Sequence, residues 1–142
     1  MTEEESKELV AGNYVSFMDE TFKIFHISGY TCTLRNEKMW AAHVVLPDIK
    51  FIPITSKILN RIGFIDDGKK FIYQSGTDEV NIEKVLYKTD GCPYCLSILR
   101  SNMDSSDCLC LGISYVHELQ NALRLFKVNL EINLYEEDEK EC

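Results

Sequence analysis

Between Gly12 and Arg35 the chain repeats one pattern three times: a few residues alternating apolar and polar, then a break. Gly12-Asn13-Tyr14-Val15-Ser16-Phe17 alternates after a glycine turn. Thr21 to Ile27 follows with Phe22, Ile24 and Ile27 at apolar positions. Ser28-Gly29 interrupts, and Tyr30-Thr31-Cys32-Thr33-Leu34-Arg35 alternates again. A period of two sends successive side chains to opposite faces of a strand, so these are three short strands joined by tight turns. A lone hairpin is marginal in water, and strands this short need neighbours. The pattern predicts an antiparallel β-meander or partial barrel over residues 10–52, with Trp40 to Leu46 as a fourth strand ending at Pro47.

The period then changes. In Pro53 to Phe64, Thr55 is an N-cap residue, Ile58, Leu59 and Ile62 fall at helical spacing, and Gly63 is a C-terminal stop. This is a two-turn helix, after which Phe64 returns to the core. A second β region follows: Lys70 to Gln74 after the Asp66-Asp67-Gly68 turn, Ile82 to Tyr87 after a Ser75–Asp78 turn, then Tyr94 to Leu99 and Cys108 to Ile113 around a polar 102–107 loop. From Ser114 to Lys127, Tyr115, Val116, Leu119, Ala122, Leu123 and Phe126 form one apolar helical face. Val128 to Leu134 alternates and is expected to close the fold as a strand. The fold class is therefore α+β: a β-meander, a short helix, a second antiparallel sheet and a C-terminal amphipathic helix. We expect a single domain over 10–134, made of the 10–52 meander and a 53–134 helix–sheet–helix part.

Composition restricts the function classes. With 142 residues and 45% hydrophobic content, the chain has enough apolar side chains for a core. Its net charge is −8, which disfavours broad binding to phosphate backbones. Much of the acidity lies at the ends, in a flexible N-terminus over 1–9 and an acidic tail over 135–142. No run approaches the roughly 20 apolar residues of a membrane span. The acidic start lacks the apolar stretch of a secretory signal, so a cytoplasmic location is expected.

Two constellations are candidates for chemistry. Cys92-Pro93-Tyr94-Cys95 and Cys108-Leu109-Cys110 are thiol pairs that could hold a structural zinc ion tetrahedrally. The C-x-C spacing of the second pair and the lack of a glycine after Cys95 favour instead small buried cysteines behaving as hydrophobes. Cys32 and Cys142 are expected to be free, and disulfides are disfavoured in a reducing cytoplasm. Val85 to Cys95 also resembles the active-site segment of glutaredoxins, where a strand runs into C-P-Y-C at a helix start. Pro93 is the last proline, so the downstream cis-proline loop of that family has no counterpart, and Leu96 to Arg100 is too short for its helix. Thiol oxidoreductase activity is disfavoured.

The second constellation is a polar stripe on the last helix. His117, Gln120, Asn121 and Arg124 stand at i, i+3, i+4 and i+7 beside the apolar face. An imidazole, two amides and a guanidinium suit a ligand rich in acceptors, such as a nucleotide. The competing reading is a solvated face with one residue bonded to a neighbouring strand. No nucleophile–base pair, phosphate loop or H-E-x-x-H motif accompanies the stripe, and the expected role is non-enzymatic.

Three motifs taken together resemble a family of small proteins of phages, prophages and mobile elements of gut bacteria. They are Gly12-Asn13-Tyr14-Val15, the proline-led helix from Pro53 to Gly63-Phe64, and Tyr115 to Asn121 followed by Leu130-Glu131-Ile132-Asn133-Leu134. The family's last motif reads Y-V-H-Q-L-Q-N; here Glu118 replaces its first glutamine. It carries no assigned activity, so the resemblance implies a setting, the cytoplasm of a bacterial host cell, and not a reaction. In that setting the expectation is a phage or mobile-element binding protein that counters host defence. It would sequester a nucleotide signal or occupy a defence protein with its acidic surface, in some cases as a homo-oligomer. The alternatives are a structural or morphogenetic phage protein and a zinc-stabilised interaction module.

Overall fold

A computed structural model describes residues 9–75, 78–84, 94–100, 109–128, 130 and 132–134. The acidic N-terminus and tail lie outside them, save Leu9. The fold is α+β with two open antiparallel sheets, not a closed barrel. Two compact units emerge. The first gathers the described residues of Met1–Pro53, Tyr115–Asn121 and Asn133–Cys142; the second those of Ile54–Ser114 and Ala122–Ile132.

The first unit holds a four-stranded meander: β1 (Tyr14–Phe17), β2 (Glu20–Ser28), β3 (Thr31–Arg35) and β4 (Trp40–Val45), hydrogen-bonded in chain order. The alternation read from the sequence supplies its core. Val15, Phe22, Ile24, Cys32, Leu34 and Val44 are buried in one cluster with Leu9, Leu46 and Ile49. The register slips between Ile24 and His26 and again between Cys32 and Leu34, bulges that bend the sheet. Asn36 closes the β3–β4 turn by accepting from the amides of Lys38 and Met39 at 2.9 Å. A single 3₁₀ turn, Leu46–Asp48, with Pro47 inside it, ends the meander.

Cys32 is a free thiol within this core, and desolvation pushes its pKa up to about 11. Thiolate is the reactive form. Native Cys32 is therefore expected to resist iodoacetamide at pH 8 and to be alkylated fully in urea, as read by peptide mass mapping. Labelling of the native protein within minutes would contradict this burial.

In the second unit, α1 (Ser56–Arg61) starts where Thr55 accepts a hydrogen bond from the Ile58 amide at 3.2 Å. Such a cap contributes about 1 kcal/mol. The helix ends in a Schellman arrangement: Phe64 N–H donates to Leu59 O at 3.0 Å and Gly63 N–H to Asn60 O at 3.3 Å. Gly63 takes φ +110°, and a Cβ there would lie 3.3 Å from the Tyr73 ring. The sheet is β5 (Ile65–Asp66), β6 (Lys70–Ser75), β7 (Asp78–Lys84), β8 (Tyr94–Arg100) and β9 (Leu109–Ile113), again in chain order. Phe71, Ile82 and Leu96 stand opposite one another and are buried, as are Val80 and Ile98.

Three expectations change. β7 begins at Asp78, four residues before the strand expected from Ile82, because Ser75 pairs directly with Asp78. Asp78 reads as a turn residue in sequence, yet with Glu79 it continues the strand that buries Val80 and Ile82. The 85–87 part of the expected strand and the 102–107 loop lie outside the described residues. The final helix, α2 (Val116–Leu125), is shorter than expected and passes from the first unit to the second at Asn121. Beyond it Lys127 is left-handed at φ 57°, and the described residues of 128–134 form no strand. Leu130 N–H donates to Val128 O at 3.0 Å, a local bond that a ladder would not leave room for.

Candidate functional site

The three residues of the helical stripe in the first unit, His117, Gln120 and Asn121, turn inward. Tyr14 N–H donates to Gln120 Oε1 at 2.8 Å, and Gln120 Nε2 donates to Gly12 O at 3.0 Å. One side-chain amide thus satisfies two backbone groups on the outer edge of β1. Further along that edge, Ser16 and Lys50 exchange a pair of backbone bonds at 2.8 Å. An edge strand normally presents such groups to other chains; here a glutamine and a bridge cover them. Beside this lock, Asn13 Nδ2 donates to Asn121 Oδ1 at 2.9 Å, and Asn13 Oδ1 accepts from Val10 N at 2.9 Å. Gly12, at φ 96°, lets the chain enter β1 at this angle.

His117 is fully buried. Its ring lies 4.3 Å from that of Phe51 and is stacked 5.9 Å from that of Tyr115. Burial lowers the imidazole pKa, and the neighbouring Glu118 carboxylate acts the other way. Glu118 itself accepts from Tyr115 N at 2.9 Å, the reach-back half of a capping box. Glutamine makes the same bond, so the replacement seen against the Y-V-H-Q-L-Q-N pattern keeps the cap. Arg124, the fourth member of the stripe, is exposed and belongs to the second unit. The stripe's two amides are engaged by the chain's own edge strand and its imidazole is enclosed.

The other cysteines give a correction. Cys95 is disulfide-bonded, against the expectation of reduced thiols. Cys92 and Cys108 lie outside the described residues, and of Cys110 only the backbone, in β9, is placed. Among the described residues no group of three or more His, Cys, Asp or Glu could hold a metal ion. Tyr94–Arg100 is a strand, so no helix follows the C-P-Y-C segment to lower a thiol pKa through its dipole.

A different constellation lies on the face of the first sheet opposite its core cluster, buried at Tyr14 and exposed at Trp40. Tyr14 stands opposite Lys23, Lys23 opposite Arg35, and Arg35 opposite Trp40. One row across all four strands therefore reads aromatic, cation, cation, aromatic. Like charges directly opposite are destabilising unless something compensates. Compensation comes from within the chain: Lys23 Nζ is 5.2 Å from the Tyr14 ring centre and the Arg35 guanidinium 5.1 Å from that of Trp40. Lys23, Arg35, Asn36 and Glu37 line an open cavity of about 270 Å³. Phe25, at the bulge in β2, meets Trp40 edge to face at 4.8 Å and 74°. Both rings stay in solvent, at 57% and 52% exposure. Sequence reasoning passed over this row because pairing Lys23 with Arg35 needs the strand register. The one available signal was Phe25, an apolar residue out of phase with Phe22 and Ile24.

Among the described residues no helix is long and apolar enough to cross a membrane. Comparison with protein-family models, with curated proteins and with solved structures finds no match to this chain.

Proposed function

We propose that this protein is a non-enzymatic binding protein that captures a small anionic ligand at the open cavity lined by Lys23 and Arg35 on its first sheet. The observation that carries this reading is the Lys23–Arg35 pair, two cations held opposite one another at an open cavity. Two cations at one cavity can hold an anion from two sides, and contacts to charged donors are among the stronger hydrogen bonds. In the mobile-element setting that the sequence resemblance implies, the captured anion would be a signal of host defence removed from circulation.

Inorganic pyrophosphate is the probe that tests the anion site. Isothermal titration at low salt is expected to show binding that weakens as ionic strength rises. The Lys23→Gln, Arg35→Gln double variant should weaken it at least about tenfold, as loss of two charge-assisted contacts implies. Absence of binding, or equal binding by the double variant, would remove the reading. His117→Ala and Gln120→Ala serve as controls that perturb the helix lock and leave both cations in place.

A further inference from the structure

We infer that the acidic segment 135–142 folds back onto this row, with the Glu136 or Glu137 carboxylate on Lys23, and competes with ligand for the anion site. This rests on the anion-site reading above and names the regulation of that same site. The point from which the segment departs is fixed. Leu134 is buried, and its amide donates to the Tyr14 hydroxyl at 3.3 Å. Tyr14 is the first member of the row, and Lys23 Nζ lies 5.2 Å from the centre of that same ring. An extended chain advances about 3.3–3.6 Å per residue, so Glu136 and Glu137 come within side-chain reach of the Lys23 ammonium.

Charge supplies the attraction. Residues 135–142 carry five acidic side chains, Glu136, Glu137, Asp138, Glu139 and Glu141, against one lysine. Among the described residues Lys23 meets the Tyr14 ring and pairs with no carboxylate. Arg35 is already engaged, by the Trp40 ring and by a further interaction within the chain, so the contact is assigned to Lys23. The acidic N-terminal residues are worse placed: Leu9, which follows them, packs in the core cluster on the opposite face of the sheet. The same segment of a second copy is disadvantaged by concentration, since a short tether supplies its own segment at about millimolar level. One surface ion pair is weak, which suits a contact that a ligand must displace.

The test uses the full chain carrying Glu136→Gln, Glu137→Gln, Asp138→Asn and Glu139→Gln, a tail that keeps its length and loses most of its charge. Pyrophosphate is titrated calorimetrically at low salt into this variant, the native protein, and a control with Glu3→Gln, Glu4→Gln, Glu5→Gln and Glu8→Gln. The tail variant should bind at least about threefold tighter than the native protein, the gain from opening a site otherwise occupied two-thirds of the time. The control should match the native protein. In parallel, a water-soluble carbodiimide joins carboxylates to amines in contact, and peptide mapping should find Lys23 linked to Glu136 or Glu137, with a yield that falls at high salt. Absence of that link, a link from Lys23 to the N-terminal glutamates in its place, or a link that joins isotopically labelled to unlabelled copies overturns the assignment. Equal pyrophosphate affinity in the native and tail-variant proteins overturns the competition and leaves the anion site standing. If pyrophosphate binds none of the three, the anion site fails and its regulation with it.

Discussion

Replacing Gln120 by glutamate is expected to destabilise the protein by about 2–3 kcal/mol, the cost of leaving a part-buried acceptor facing another acceptor. The two partners fix the native amide's orientation: Tyr14 N–H can only donate and Gly12 O can only accept. A carboxylate still receives the Tyr14 bond but turns an acceptor oxygen, carrying charge, toward the Gly12 carbonyl. At about 3–5 °C per kcal/mol for a chain of this size, the midpoint should fall by roughly 10 °C. Urea unfolding of the two proteins checks the number. A change under about 0.5 kcal/mol would mean that the amide bridges an exposed edge with little net gain. Gln120→Ala should cost less than the glutamate variant, because water can reach a vacated edge and a fixed charge cannot be moved away.

Truncation of His117 to alanine should cost about 3 kcal/mol, in the range for deleting a buried aromatic side chain. Phenylalanine at the same place retains the ring contacts with Phe51 and Tyr115 and should cost much less. The two variants separate packing from charge when acid is added. In the unfolded chain the imidazole takes up a proton near its ordinary pKa of about 6.5. In the folded chain burial lowers that value. The unfolded state therefore binds more protons between the two values, and stability is complete above about pH 6.5 and falls as pH drops through the window below it. Unfolding free energies at pH 7.5 and 5.5 should differ more for the native chain than for His117→Phe. Equal differences would show that the imidazole is not held neutral.

Much of the architecture was legible because its causes are local. Alternation placed β1 to β3, the hydroxyl of Thr55 and the backbone freedom of Gly63 bounded α1, and helical spacing found α2. What failed was longer in range. The i, i+3, i+4 pattern of His117, Gln120 and Asn121 says which side chains share a helix face; it cannot say that the face meets a strand edge. The register joining Tyr14, Lys23, Arg35 and Trp40 depends on turn lengths and two bulges, which single-strand patterns do not encode. The alternation of Val128 to Leu134 misled because buried apolar side chains at Val128, Ile132 and Leu134 need no ladder when Leu134 N can donate to the Tyr14 hydroxyl at 3.3 Å. Compartment reasoning, applied to Cys95, predicted a thiol where a disulfide stands.

The sealing of β1 by Gln120 also sets a timetable. The two residues that meet are 106 positions apart in the chain. A ribosome adding about 5–20 residues per second needs roughly 5–20 seconds to cover that distance. Throughout that interval the nascent meander carries an edge whose amide and carbonyl at Tyr14 and Gly12 await their partner. The first unit can be completed only after nearly all of the second has been synthesised. Its vulnerable period is thus a property of chain order, and holding factors or rapid translation would act on it without touching the finished fold.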